Sequence, residues 1–227
     1  MRLFVSALLA LASTYMFATS PLLAQDSAVY VVSYIETAPA AAVPAAGLLR
    51  QFADAARKQP GNMRFELLQR VARSNQFATL ATWKDRNAYD AHLAAPDTKA
   101  FRAKIKPHLI SAVDDRPHSA MDVTAAATAN AQGAVQVVTH VDVPPPSKDE
   151  CISLLKALAD ESRKEAGVVR FEVLQQSSRP NHFSVVEIWK NQDAYNRHIT
   201  AAHTKNFREK LTPMSGALYD ERLYETL

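Results

Sequence analysis

Two histidines, His92 and His198, occupy matching sequence contexts and are the first candidates for acid–base chemistry. Each follows a tryptophan by nine residues, Trp83 in one case and Trp189 in the other. Histidine serves as a general base near neutrality because its unperturbed pKa lies close to the ambient pH. Since the indole rings could flank a flat ligand, the pattern predicts proton abstraction from a small aromatic compound.

The full set of candidate site residues extends this pattern. Four are expected to take part in the chemistry: His198, Trp189, Glu187 and His92. Seven are expected to contact a substrate: Tyr195, Phe207, His140, Arg170, Arg208, Trp83 and Tyr89. Structural roles stay open for many of them, because tryptophans at strand ends often pack in a core and buried tyrosines usually satisfy their hydroxyl group there.

The candidates come in pairs because the sequence contains one unit twice. His92 and His198 are 106 positions apart, and the flanking tryptophans and tyrosines keep the same offset. Residues 28–121 and 134–227 align without a gap, with about a third of their residues identical. The duplication predicts two domains, joined by a low-complexity linker at residues 122–133.

Each repeat is predicted to fold as β-α-β-β-α-β. Runs of β-branched and aromatic residues indicate the strands, and apolar residues at helical spacing indicate the helices. The strands are expected at residues 29–36, 63–71, 76–83 and 109–113, and at 135–143, 168–175, 182–189 and 217–224. A loop at 38–43 is expected to precede a first helix that begins at Pro44.

Residues that favour helix ends mark several boundaries. Asp85 and Asn191 are placed to accept the free N–H groups of a first helical turn. Ser147 and Glu150 have the spacing of a capping box. Gly167 follows the predicted end of a helix, where a left-handed backbone conformation favours glycine.

The predicted fold class is α+β, with two tandem ferredoxin-like (split βαβ) repeats. Each repeat would form a four-stranded antiparallel sheet with helices on one face. The strand at 182–189 is apolar on both faces, so the face without helices must also be covered. We therefore expect the two sheets to pack sheet to sheet as an intramolecular dimeric α+β barrel, with the helices outside.

The arrangement of Glu187, Trp189, Tyr195, His198 and Phe207 on a split βαβ repeat resembles the antibiotic biosynthesis monooxygenase family, which includes quinol monooxygenases. The resemblance covers both repeats. It implies oxidation of a phenolic or quinol-type aromatic by molecular oxygen, with neither metal nor flavin, in a cavity between sheet and helices. It also implies a dimer of two such domains, which are fused here in one chain.

The two repeats differ at positions that bear on activity. Glu187 of the second repeat corresponds to Ala81 of the first, and His203 corresponds to Asp97. Both differences favour the C-terminal half as the active site and the N-terminal half as a scaffold. His203 itself is expected to be exposed on a short polar helix.

Two functions from different classes agree with these residues. The first is a cofactor-independent monooxygenase, with a small quinol or phenolic aromatic and O₂ as its partners. The second is a non-catalytic barrel that binds a small ligand or serves in assembly. No metal site is expected, because His198 and His203 are five residues apart and no cysteine cluster occurs in the sequence. Further assembly of the fused pair is left open.

Composition and the first residues of the chain bear on partners and compartment. The 227 residues carry a formal net charge of +3 with both signs interspersed, which argues against a nucleic-acid partner. Residues 1–24 have the features of a secretory signal peptide, with cleavage expected after Ala24. We therefore expect a periplasmic or secreted protein without a membrane span.

Cys151 is the only cysteine and is expected to be a buried or half-buried structural thiol.

Overall fold

The computed structural model describes residues 27–124 and 133–227, which form eight strands and six α-helices. The first repeat comprises β1 (Val29–Glu36), α1 (Ala42–Arg57), β2 (Asn62–Arg70), β3 (Arg73–Trp83), α2 (Arg86–Ala94), α3 (Pro96–Ile105) and β4 (Asp114–Asp122). The second comprises β5 (Val135–Asp142), α4 (Lys148–Ser162), β6 (Val168–Gln176), β7 (His182–Trp189), α5 (Gln192–Thr200), α6 (Ala202–Leu211) and β8 (Asp220–Thr226). The predicted signal peptide and most of the predicted linker lie outside the described residues.

The strands of the described residues close a single antiparallel barrel in the order β1-β3-β2-β8-β5-β7-β6-β4. Two seams join the repeats: β8 pairs with β2, and β4 pairs with β6. The α+β barrel with helices outside, expected from the sequence, is confirmed. The structure adds that backbone hydrogen bonds link the two sheets along both edges, which pairs strand edges that would otherwise be open.

Alternate side chains of each strand face the barrel interior and the helices. The interior core contains Ala28, Tyr30, Val32, Leu68, Ala78, Leu80, Val138, Leu174, Val186 and Tyr224. Two further apolar clusters lie between the sheet and the helices, one in each repeat. Trp83 belongs to the first of these clusters and Trp189 to the second. The strands are therefore covered on both faces, as their apolar character requires.

Charged residues of β2 and β6 meet across the barrel interior. The two terminal nitrogens of Arg64 each donate to a carboxylate oxygen of Glu172 at 2.9 Å. In the reciprocal pair, Arg170 donates to Glu66 at 2.9 and 2.6 Å. β2 and β6 are not neighbours in the barrel, so these bidentate pairs connect the repeats rather than adjacent strands.

The predicted helix starts at Asp85 and Asn191 are confirmed. The side chain of Asp85 accepts from the backbone N–H of Ala88 at 2.8 Å, and that of Asn191 accepts from the N–H of Ala194 at 3.0 Å. Gly167 has the predicted left-handed backbone, with φ of +99°. A Cβ atom at Gly167 would also lie 2.7 Å from the Cβ atom of Ala194, so glycine lets the chain pass close to α5.

Four local predictions were wrong. The last strand of each repeat begins later than expected, at Asp114 and Asp220. The stretch at 109–113 instead makes one isolated bridge, between Leu109 and Thr37. α1 begins at Ala42, within the predicted loop, and Ser147 makes no side-chain cap hydrogen bond. The strand assignment failed because β4 carries Asp and Pro residues of low strand propensity, and its pairing with β1 and β6 overrides that propensity.

The predicted structural thiol and the expected lack of a membrane span can both be compared with the described residues. Cys151, on α4, is buried in the apolar cluster of the second repeat. Burial raises its pKa to about 12, so it is a poor nucleophile at neutral pH. Among the helices in residues 27–124 and 133–227, none combines the length and apolar character needed to cross a bilayer.

Candidate active site

His198 lies on the buried face of α5, between the helix layer and the outer face of the sheet. Its ring stacks on the indole of Trp189, with centroids 4.5 Å apart and planes 26° apart. Phe171 contacts the same imidazole edge-on at 5.9 Å. The helix cap at Asn191 and the close approach at Gly167 hold α5 against β7, which fixes the position of the ring.

The two ring nitrogens of His198 face two different carboxyl groups. Nδ1 lies 2.6 Å from Oε1 of Glu165, in the turn after α4. Nε2 lies 3.5 Å from Oε2 of Glu187, on β7. Glu165 also accepts a hydrogen bond from Nε2 of His203, at 2.9 Å. A carboxylate at Nδ1 fixes the tautomer that leaves Nε2 free to accept a proton.

Burial changes the proton affinities of His198 and Glu187 in opposite directions. Desolvation raises the pKa of Glu187 to about 8, although the Trp189 indole N–H donates to its Oε2 atom at 2.8 Å. Desolvation lowers the pKa of His198, and the carboxylate of Glu165 opposes that change. At neutral pH the pair therefore consists of an uncharged acid and an uncharged base. Titratable groups separated in this way are typical of acid–base sites.

A second group of polar residues borders the same space between sheet and helices. The Tyr195 hydroxyl donates to Glu221 on β8, and Arg208 of α6 donates to the other oxygen of Glu221 at 2.6 Å. The Arg208 guanidinium also lies 5.2 Å from the ring centroid of Tyr219, and Phe207 contacts Tyr219 edge-on. The carboxylate of Glu221 thus positions both the phenol and the guanidinium at the edge of the layer.

The N-terminal repeat keeps the framework of this site without its carboxyl groups. His92 stacks on Trp83 with centroids 4.4 Å apart, but its Nδ1 atom faces the uncharged amide oxygen of Gln59 at 2.7 Å. Ala81 stands in place of Glu187. Burial, together with the nearby Arg102, lowers the pKa of His92 to about 4. His92 is therefore a weaker base than a histidine with a carboxylate partner.

The space around His92 is partly open. A cavity of about 30 Å³, room for one or two water molecules, lies between the sheet and the helices of the N-terminal repeat. Its lining includes Ala81, Trp83, His92, Phe101 and Val113. The positions equivalent to Ala81 and Val113 carry the larger residues Glu187 and Tyr219 in the second repeat, where Glu187 is buried and Tyr219 packs against the apolar cluster.

The predicted site residues separate into three places. His198, Trp189 and Glu187 come together in the second repeat, bordered by Tyr195, Phe207 and Arg208; His92, Trp83 and Tyr89 come together in the first. His140 and Arg170 lie on the opposite face of the sheet, within the barrel, where Arg170 pairs with Glu66 and His140 contacts His182. The expectation that His140 reaches the sheet–helix cavity was therefore wrong, because its position on β5 alternates inward.

Sequence reasoning missed Glu165 and Glu221 and expected His203 to be exposed. The helix boundary at Ala201 separates α5 from α6 and turns His203 back towards Glu165, so the five-residue spacing does not keep His203 away from His198. A signal was present in the repeat alignment. Gln59, Ala81 and Asp97 of the first repeat change to Glu165, Glu187 and His203 in the second, and all three changes surround one histidine.

Comparison with known proteins places this geometry in a family. The profile of the family described as antibiotic biosynthesis monooxygenase matches residues 28–104 and 134–210, together more than half of the chain. The chain belongs to this family, and each repeat is one copy of its domain. Membership supports a monooxygenase-like function.

Relatives of known sequence match one repeat at a time. The Bacillus subtilis protein named Putative monooxygenase YcnE is 28% identical over 71 residues, which is 31% of this chain and 75% of that protein. An uncharacterized protein of Synechocystis is 24% identical over 95 residues, 42% of this chain, and the match spans just 65% of that relative's length.

Some solved structures match both repeats together. The crystal structure of a Fusobacterium nucleatum protein described as "Putative monooxygenase" superposes with a TM-score of 0.78 at 15% identity, covering 88% of this chain and 93% of that chain. An anthrone oxidase-like protein superposes with a TM-score of 0.71 at 14% identity, covering 89% and 92%. At these identities the likeness establishes the two-repeat barrel fold.

Proposed function

We propose that the protein is a monooxygenase that oxidises a small quinol or phenolic aromatic with O₂ in the sheet–helix layer of its C-terminal repeat. One observation carries the proposal: the imidazole of His198 lies between the carboxyl groups of Glu165 and Glu187. No cofactor is required, because an electron-rich ring supplies the electrons that reduce oxygen once its hydroxyl group is deprotonated.

His198 and Glu187 divide the proton chemistry between them. Nε2 of His198 takes the proton of the ring hydroxyl, and Glu165 at Nδ1 stabilises the resulting imidazolium. Glu187, uncharged at neutral pH, then donates a hydrogen bond to the oxyanion that forms. A buried carboxyl group is suited to this role only while its pKa stays above the working pH.

The overall reaction balances for a quinol with a free ring position. Quinol and O₂ give a hydroxyquinone and water: one oxygen atom replaces a ring hydrogen as a hydroxyl group, and the other leaves as water. The substrate loses four electrons, and O₂ gains four. The protein's own contributions are to bind the ring, take the proton and stabilise the anion.

The residues between the sheet and the helices of the second repeat suit an aromatic substrate. The indole of Trp189 and the ring of Phe207 are buried beside the polar groups. Tyr219 is partly buried at the edge of this sheet–helix space, against Phe207 and Arg208. The proposal therefore requires Tyr219 to move when a ring enters, and it identifies this residue as a control of substrate size.

Oxygen consumption tests the proposal. Purified protein is assayed with a panel of benzoquinols and naphthoquinols, comparing wild type, His198→Ala and the matched variant His92→Ala. We expect His198→Ala to lower the rate of oxygen uptake by roughly a hundredfold or more, the usual contribution of a general base, and His92→Ala to keep most of it. Equal rates for His198→Ala and wild type would refute the assignment of the base.

The alternative function, a non-catalytic binding barrel, is favoured by the position of the cavity. The open space lies beside His92, which has no carboxylate partner, whereas Glu187 and His198 of the other repeat are both buried. The two functions are separated with Trp189→Phe, which leaves Trp83 as the fluorescent reporter of the N-terminal cavity. Quenching of Trp83 by a quinol without oxygen uptake in any variant or wild type would establish the binding function.

The compartment is part of the proposal. We expect export to the periplasm or the medium with removal of residues 1–24. Amino-terminal sequencing of protein recovered from those fractions tests this, with Gln25 as the expected first residue. Recovery of only the uncleaved chain inside the cell would contradict it.

A further inference from the structure

A group of nitrogen and oxygen ligands lies inside the barrel, on the opposite face of the sheet from His198. β5 and β7 are antiparallel neighbours in which Asp142 pairs with His182 and His140 pairs with Ser184. The period of two along each strand places His140, Asp142 and His182 on the interior face. The fold thus gathers two imidazoles and one carboxylate from adjacent strands.

The ligand atoms of this group lie close enough to share an ion, and His182 contacts His140 and Asp142 through different ring nitrogens. Nδ1 of His182 lies 3.3 Å from Nε2 of His140, and Nε2 of His182 lies 3.3 Å from Oδ1 of Asp142. Both separations exceed the usual 2.7–3.2 Å range of an N–H hydrogen bond. Two nitrogens bound to zinc at about 2.0–2.1 Å in tetrahedral geometry lie roughly 3.3 Å apart, which is the separation between the two imidazoles.

We propose that His140, Asp142 and His182 bind one divalent transition-metal ion of the zinc type. The ligand atoms of the three residues all lie within 4.8 Å of one another. Two imidazoles with one carboxylate form a donor set that zinc accepts, with water at the remaining position. The side chains of His182 and Asp142 are 13% and 23% exposed, so an ion can reach them from solvent.

Charges of both signs surround the group. Two arginines of the barrel interior lie near this end, and each is paired with its own carboxylate: Arg116 with Asp114 and Arg222 with Asp220. Asp142 brings a negative charge into the group, while Arg116 and Arg179 are cations whose charge acts on its imidazoles. Behind the group, Ser184 contacts Nε2 of His118, while Nδ1 of His140 is buried and has no hydrogen-bond partner within the described residues.

The first repeat provides an internal comparison. The residues equivalent to His140, Asp142 and His182 are Tyr34, Glu36 and Gln76, which do not form such a donor set. The proposal therefore predicts one ion for each chain. It also supplies substitutions that the fold accepts at equivalent positions, His140→Tyr and His182→Gln.

A second group with similar spacing needs a control. Glu165, His198 and His203 also lie within 4.8 Å of one another, but Glu165 accepts an ordinary hydrogen bond from each histidine at 2.6 and 2.9 Å. His203→Asp copies the residue of the first repeat and removes one imidazole from that group. Zinc binding that survives His203→Asp is thereby assigned away from it.

The experiment is isothermal titration of the chelator-treated full chain with zinc sulfate, for wild type, His140→Tyr, His182→Gln and His203→Asp. We expect one zinc ion per chain for wild type and His203→Asp, and a dissociation constant at least tenfold higher for each of the other two variants. Circular dichroism and thermal melts in the presence of chelator verify that each variant is folded. If one variant fails to fold, the other gives the result.

Three outcomes would overturn the proposal. The first is no zinc binding by folded wild type, and the second is wild-type affinity in both folded variants of the barrel group. The third is loss of binding in His203→Asp with retention in His140→Tyr, which would assign the ion to the other group. Absorption of bound cobalt in the visible range gives a second readout, since tetrahedral coordination by His140 and His182 predicts intense bands that both variants lose.

Discussion

Glu165 accepts a hydrogen bond from His198 at 2.6 Å, whereas the equivalent residue of the first repeat, Gln59, faces His92 through an uncharged amide at 2.7 Å. The two histidines are otherwise placed alike, each stacked on a tryptophan between helix and sheet. The exchange of Gln59 for Glu165, one of three changes around the histidine, therefore adds a negative charge beside a common stacking geometry. The difference makes His198 the stronger base, because an adjacent carboxylate favours the protonated imidazole.

The first prediction concerns this carboxylate. Glu165→Gln removes the charge and keeps the shape, so the pKa of His198 should fall and its capacity as a base should weaken. We expect oxygen uptake with a quinol to drop by roughly tenfold or more, measured at steady state near neutral pH. Gln59→Glu is the matched control and should leave the rate nearly unchanged. A wild-type rate in Glu165→Gln would show that His198 does not depend on this partner.

The second prediction concerns stability and pH. Glu187 has a pKa of about 8 in the folded protein against an ordinary value of 4.5, so between these two values the folded state holds a proton that the unfolded state has lost. The contribution of Glu187 to stability is full below pH 4.5 and falls by roughly 1.4 kcal/mol per pH unit as the pH rises towards 8.

Urea denaturation at intervals between pH 5 and pH 8 measures this slope. Glu187→Gln does not titrate and should remove the decline, so the difference between variant and wild type should grow steadily with pH. Glu187→Ala copies Ala81 of the first repeat and serves as a second test. A constant difference across the pH range would contradict the raised pKa.

The third prediction concerns the size of the substrate. Tyr219 fills the edge of the C-terminal layer, where the first repeat carries Val113. Tyr219→Val should create space beside His198 and lower the KM for a naphthoquinol several-fold, with a smaller effect for a benzoquinol. Val113→Tyr is the matched control: it fills the N-terminal cavity and should not change oxygen uptake. A change in KM with Val113→Tyr alone would move the substrate site to the first repeat.

The fourth prediction concerns the ion pairs inside the barrel. The side chain of Arg170 is 1% exposed and has Glu66 as its bidentate partner. Arg170→Met leaves Glu66 without this partner and should lower the free energy of unfolding by about 3–5 kcal/mol. The double variant Arg170→Met/Glu66→Leu should recover much of that loss, because no unpaired charge remains. Urea denaturation measures both, and equal stabilities of the single and double variants would contradict the argument.

The fold could be predicted because its signals are local and occur twice. The strand from Val29 to Glu36 and the helix start at Asp85 follow from residue types and their period alone. The covered barrel follows from a strand that is apolar on both faces. The last strand of each repeat could not be located, because β4 and β8 form where two other strands offer free edges and not where the chain itself favours a strand.

The site could be predicted in part. The contact of His198 with Trp189 follows from their common position on either side of one sheet–helix junction. Glu165 could not be identified, since it precedes His198 by 33 residues and reaches it only when the turn after α4 packs against α5. His140 was expected in the cavity because its chemistry suits that role, but the alternation of β5 turns it into the barrel.

The sequence by itself determined the duplicated α+β repeat and the pairing of tryptophan, tyrosine and histidine in each copy. These features depend on short-range periodicity and on spacing within one helix. The tertiary structure alone decided which carboxyl groups surround His198, that a cavity lies beside His92 and which residues meet inside the barrel. Those relationships join residues far apart in the chain, and they depend on how the strands and helices pack against one another.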